Sequence, residues 1–215
     1  MRIKLTQFLS GQVGYILLLF WILSGAASAQ QTDIPPGTEP YPAPVPKTGQ
    51  THSWAAGDDG GAQSGINWPV PRFSDNQNGT VTDNLTGLIW LKDADCFSNR
   101  SWFDSLTAAS TLKSGDCDLS DDSKEGDWRL PNILELESLR DINYSLPTLS
   151  DTNGTGKWSE GKPFIKVRPT YYWSSSTNAG SSNYAWYLHL GSGSVFSNAK
   201  NDNCCLVWPV RDSSR

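Results

Sequence analysis

Residues 73–96 read FSDNQNGTVTDNLTGLIWLKDADC, and the fold class turns on this stretch. Asn78-Gly79 tolerates positive φ, and the β-branched run Thr80-Val81-Thr82 follows it directly, which is a short-range hairpin signal. Asn84-Leu85-Thr86-Gly87 is a second turn. Leu88-Ile89-Trp90-Leu91 is an unbroken apolar run of strand length, so it predicts a buried strand. The folded part of the chain therefore opens on paired strands.

C-terminal to these strands the apolar period changes. Trp102, Leu106, Ala109 and Leu112 recur at helical spacing behind Ser101, a residue suited to cap a helix. Pro131-Asn132 precedes a second helical pattern in which Ile133, Leu136 and Leu139 share a face, with Leu134 alongside. After Pro147 the apolar segments become short and strand-like: Tyr171–Ser174, Tyr184–Leu188 and Leu206–Val210. The order of strand pair, two helices and several strands predicts an α+β fold. It excludes the alternating βαβ units of a parallel nucleotide-binding sheet.

The N-terminal region is organised differently. Arg2 and Lys4 precede an 11-residue apolar run, Val13–Leu23, and Ala27-Ser28-Ala29 follows, so residues 1–29 predict a secretory signal peptide. That run is shorter than the ~20 residues a membrane helix needs, so no stable membrane span is expected. Residues 30–46 carry six of the 13 prolines and predict a semi-extended Pro-rich linker. The folded domain is assigned to 47–215. The full chain of 215 residues has a net charge of −5; without residues 1–29 it carries 15 basic against 22 acidic residues, a net of −7. Such a balance opposes binding to nucleic acid. A secreted, periplasmic or cell-surface location follows from the signal peptide, and disulfides persist in those compartments.

Four cysteines allow three pairings. A Cys96–Cys117 bridge across the first helix is the plain reading, worth about 3 kcal/mol through the unfolded state. Cys204 and Cys205 are adjacent. As neighbours in a strand they would point to opposite faces, one into the core and one out; a vicinal or intermolecular disulfide is the other option. No zinc spacing, nucleophile elbow or phosphate loop is present, so no catalytic residue is assigned and no cofactor is expected. Asp118, Asp121 and Asp122 lie in an acidic segment whose hard oxygen ligands suit Ca²⁺, without the EF-hand pattern. Lys157, Lys162, Lys166 and Arg168 form the one basic cluster where an anionic glycan would find charge-assisted partners.

Several segments together, FSDNQNGTVTDNLTGLIWLKDADC, GDWRLPNILELESL, YYWSSS, NYAWYLHL and VWPVRD, resemble the Lcl (Legionella collagen-like protein) C-terminal domain family over roughly Lys47–Asp212. The resemblance implies a C-type-lectin-like fold: two helices on a small antiparallel sheet, with long loops near the C-terminal strands presenting a binding surface. It also implies sulfated-glycan binding and a homo-oligomer, a trimer in the named adhesin. The expected ligand face comprises Trp173, Tyr184, Trp186, Tyr187, His189, Phe196 and Asn198, a mix of aromatic and amide groups suited to adaptable recognition of a glycan or a surface protein. Two alternatives stand beside adhesion. One is a formylglycine-generating-like or other thiol-redox enzyme using Cys204 and Cys205, and the other is a non-catalytic structural scaffold.

Overall fold

The computed structural model describes residues 45–213. The expected signal peptide and all but the end of the Pro-rich linker lie outside these residues. Three short helices are found among them: α1 (Asp59–Ala62), α2 (Trp102–Thr111) and α3 (Ile133–Ser138). None is long and apolar enough to cross a membrane. The strands are β1 (Phe73–Asp75), β2 (Thr80–Asp83), β3 (Ile89–Leu91), β4 (Phe97–Arg100), β5 (Tyr171–Thr177), β6 (Tyr184–His189), β7 (Ser194–Ala199), β8 (Cys205–Val207) and β9 (Val210–Arg211).

The expected hairpin is β1–β2. Gly79 holds φ +83°, and the Asn78 side-chain oxygen accepts from both the backbone N–H (3.2 Å) and the hydroxyl (2.7 Å) of Thr80, closing the turn locally. A side chain at Gly79 would also collide with the Asp118 carbonyl, 2.5 Å from where its Cβ would stand. β3 adds to β2 and the C-terminal β9 adds to β3, giving an antiparallel sheet β1-β2-β3-β9. The chain thus returns its last described strand to β3, in the same sheet as its first hairpin.

The second sheet runs β4-β8-β5-β6-β7. It is not purely antiparallel as expected, because β5 and β8 run parallel, with Tyr172 opposite Leu206. The two longer helices lie on its opposite faces. Trp102 and Ala109 of α2 pack with Trp173, Ala185, Cys205 and Val207. Leu136 of α3, and Leu139 beyond it, join Tyr172, Leu188 and Leu206 in a larger core shared with Val81, Trp90 and Leu91 of the first sheet. Strand alternation explains the division, since successive side chains face opposite ways.

Both helices start as their sequences predict. The Ser101 hydroxyl accepts from the Asp104 N–H, and Asn132 and Glu135 form a reciprocal capping box. Leu134 corrects the helical reading. It is 72% exposed, because Leu136 and Leu139 supply the buried stripe of so short a helix. Trp208 centres the large core. Its ring meets Trp90, Phe164 and Tyr172 at 5.0–5.6 Å, and its indole N–H donates to the Leu91 carbonyl at 2.8 Å.

Candidate functional site

The register of β5, β6 and β7 sets the candidate surface. Tyr171 lies opposite His189, which lies opposite Ser194; Trp173 lies opposite Tyr187, which lies opposite Phe196. Period-two alternation puts these residues on the α2 side of the sheet. α2 covers Trp173, but it does not extend over the β6 and β7 end. The result is a graded aromatic row. Trp173 is sealed, Tyr187 is half-buried, Tyr171 is 40% exposed and Phe196 is 51% exposed.

The rings touch in sequence. Trp173 meets Tyr187 edge-on at 5.9 Å, Tyr187 meets Tyr171 at 5.2 Å and Phe196 at 6.0 Å, and Tyr171 meets His189 at 4.8 Å. Each ring is thereby held by its neighbour, so a planar ligand would meet an ordered surface. Trp173 is pinned from beneath by its indole N–H, which donates to the Arg100 carbonyl at 3.1 Å. Burial raises the Tyr187 phenol pKa, and the neighbouring Tyr171 adds to the rise, so the hydroxyl stays a neutral donor and acceptor.

Polar groups edge this row. His189 Nδ1 accepts from the Ser192 N–H at 3.2 Å and lies 2.8 Å from the Ser192 hydroxyl, which leaves Nε2 to carry the proton of the neutral ring. The Ser192 and Ser194 hydroxyls lie 3.0 Å apart. The turn carrying these serines is fixed through Gly193, whose carbonyl accepts from Arg140 at 2.7 Å. Asn198 follows Phe196 on the same face, its side-chain oxygen accepting from the Ala199 N–H at 2.8 Å. Hydroxyl, amide and imidazole groups around exposed ring edges are suited to hydrogen-bonding a polar ligand.

Of the seven residues expected on the ligand face, Tyr187, His189, Phe196 and Asn198 come together. Trp173 does not reach the surface and acts as the support beneath. Tyr184 and Trp186 alternate to the opposite face of β6, because an even-numbered offset from Tyr187 is needed to share its side. Tyr171 was missing from the expectation. Its signal was present in the sequence: it sits two residues before Trp173 in the same strand.

The basic cluster lies at the surface and is partly neutralised within the chain. Lys166 pairs with Asp93, and Arg168 pairs with Asp95 at 2.9 Å, so two of the four cations assigned to an anionic glycan already face carboxylates. Hydrogen bonding to Asp93 raises the Lys166 pKa. In the acidic segment the Asp121 carboxylate accepts from Ser123 and from Arg211, the latter at 3.2 Å. Among the described residues no three His, Cys, Asp or Glu side chains gather as a metal site would require, so Asp118, Asp121 and Asp122 do not converge.

Both cysteine pairs are oxidised. Cys96 and Cys117 are bridged, 21 positions apart. Cys204 and Cys205 form a vicinal disulfide, with Cα atoms 3.7 Å apart. The expectation of opposed side chains fails because β8 begins only at Cys205, so Cys204 is free of strand geometry. Cys205 is fully buried and Cys204 is half-buried.

Fold and surface define an α+β module with two sheets, a disulfide-braced frame and a half-exposed aromatic row. The profile of the Lcl C-terminal domain matches residues 79–211, and the chain belongs to that family. No curated protein matches the chain.

Proposed function

We propose that the chain is a non-catalytic, surface-exposed or secreted recognition module that binds a saccharide across Tyr171, Tyr187, His189 and Phe196. The observation that carries this reading is the aromatic row emerging from the buried Trp173 to the half-exposed Phe196. Apolar sugar faces stack on such rings, while the hydroxyls of Ser192 and Ser194 and the amide of Asn198 serve the sugar hydroxyls. Family membership and the Cys96–Cys117 disulfide support an extracellular setting. The C-type-lectin-like arrangement that the sequence resemblance implies fits this use, with recognition at the C-terminal strands.

The thiol-redox alternative draws on Cys204 and Cys205. Burial of Cys205 among Trp173, Ala185 and Val207 favours a packing role instead. The test is an immobilised-glycan screen of the wild-type protein, Phe196→Ala and Cys204→Ser/Cys205→Ser. The expected result is saccharide binding that Phe196→Ala weakens at least tenfold and the double serine variant retains. Absence of any glycan signal, or loss of binding only in the serine variant, refutes the proposal.

A further inference from the structure

Six arginines lie among the described residues. Arg72, Arg129, Arg140, Arg168 and Arg211 each pair with a carboxylate, and Arg100 pairs with none among the described residues. The Arg100 guanidinium stacks 5.2 Å from the Phe97 ring centre, and its Nε, like Arg72 Nη1 and Arg211 Nε, is buried without an acceptor. Leaving a buried donor without an acceptor costs free energy. Unlike Arg72 and Arg211, Arg100 has no carboxylate among the described residues to answer its charge.

Arg100 opens into a groove between β4 and α2. Ser98, Asn99, Asp104, Thr107, Thr111 and Asn203 line it with Arg100. β4 is the outer strand of its sheet, so its far edge meets no other strand. A register shift between Phe97 and Arg100 bulges this strand, and bulges re-aim side chains. Ser98 and Asn99 accordingly line both this groove and an adjoining depression that continues to Thr170 and Arg168. The carboxylate that lines the groove, Asp104, is engaged by the Ser101 hydroxyl at 2.7 Å.

We propose that this groove is a second binding site, in which Arg100 takes a carboxylate carried by an extended peptide segment of a partner protein. Charge complementarity supplies the carboxylate, since a guanidinium matches that group with two parallel hydrogen bonds. Shape supplies the peptide. From Asp104 to Thr111 the helix wall runs about 10 Å, the length of three extended residues, before the adjoining depression is counted. Hydroxyls and amides along it suit peptide groups. No aromatic face lines the groove for a sugar to stack on, unlike the row on β5–β7. The two sites sit toward opposite edges of the five-stranded sheet, with β4 and β7 about 19 Å apart at ordinary strand spacing.

The experiment uses fluorescence anisotropy with the protein and labelled, end-blocked heptapeptides of alternating Thr and Val with a central Glu or a central Gln. The Glu peptide is expected to bind at least tenfold more tightly than the Gln peptide. Arg100→Gln should reduce that preference to under twofold, Arg100→Lys should keep part of it, and Tyr171→Ala/Phe196→Ala should leave it intact. Unchanged thermal melting of the Arg100 variants confirms that their fold is retained. Equal binding of the two peptides, no binding of the Glu peptide, or a preference that survives Arg100→Gln overturns the proposal. Displacement of the Glu peptide by free glucuronate at tenfold lower concentration than by acetate overturns it in favour of acidic sugars.

Discussion

Replacing Asp83 by Ala tests how the N-terminal sheet is held together. Arg72 and Asp83 are both fully buried, with Nε–Oδ1 at 2.8 Å and a second contact from the terminal nitrogen to Oδ2 at 3.1 Å. Asp83 also accepts from the Leu85 N–H and the Thr86 hydroxyl, each at 3.0 Å, and so closes the β2–β3 turn. Truncation would leave a guanidinium buried between the Trp68 and Phe73 rings, 4.3 and 4.8 Å from their centres, without its hydrogen-bonded counter-charge. Breaking such a pair costs about 3–5 kcal/mol. With a urea dependence of about 2 kcal/mol per molar, the midpoint should fall by roughly 1.5–2.5 M. Equilibrium urea unfolding at pH 7, followed by tryptophan fluorescence, measures it. The Arg72→Met/Asp83→Leu double variant should recover much of the loss, since an apolar pair carries no stranded charge. A midpoint shift below about 0.5 M, or a double variant no better than the single one, refutes the reasoning.

Other outcomes follow from the same structure. Trp173→Ala should cost about 3–5 kcal/mol in chemical unfolding, whereas Phe196→Ala, half-exposed at the sheet edge, should stay within about 1 kcal/mol of the wild type. Removing Cys96 and Cys117 together should lower stability by about 3 kcal/mol, because the 21-position separation no longer restrains the unfolded chain. Asp141 is buried, which lifts its carboxyl pKa to about 6 from an ordinary 3.8. Its native form therefore holds the proton more tightly than the unfolded form. Its contribution is fully present below pH 4 and is lost as pH rises through about 6. Comparing unfolding midpoints of the wild type and Asp141→Asn between pH 4 and pH 7 should show this decline only in the wild type.

Much of the frame was legible because its signals are local. Asn78-Gly79 marks a turn with its own side chain, and Ser101 and Asn132 cap helices through residues three positions away. Leu88–Leu91 is apolar enough to predict a buried strand, and its second half, Trp90 and Leu91, is sealed while Leu88 and Ile89 are half-buried. The surface was less legible because its membership depends on register. Tyr184, Trp186 and Tyr187 are equally aromatic in sequence, yet a one-residue step decides which side of β6 each one takes. Trp173 shares a face with Tyr187 but lies under α2, a contact made across 72 positions between the Trp102 indole N–H and the Ser174 carbonyl. The basic segment misled for a related reason: Asp93 and Asp95, which answer Lys166 and Arg168, are 73 positions away in the chain. The vicinal disulfide turned on whether a strand starts at Cys204 or Cys205, a boundary too fine for composition to draw.

The central claim is that the β5–β7 aromatic row is the ligand surface. Chemical-shift mapping of the protein, titrated with the saccharide that binds best in the glycan screen, tests it most directly. The account predicts that the largest perturbations fall on the ring resonances of Tyr171, Tyr187, His189 and Phe196 and on the backbone of Ser192–Asn198. Perturbations centred on Lys157–Arg168 or Asp118–Asp122, with the aromatic row unmoved, would contradict it.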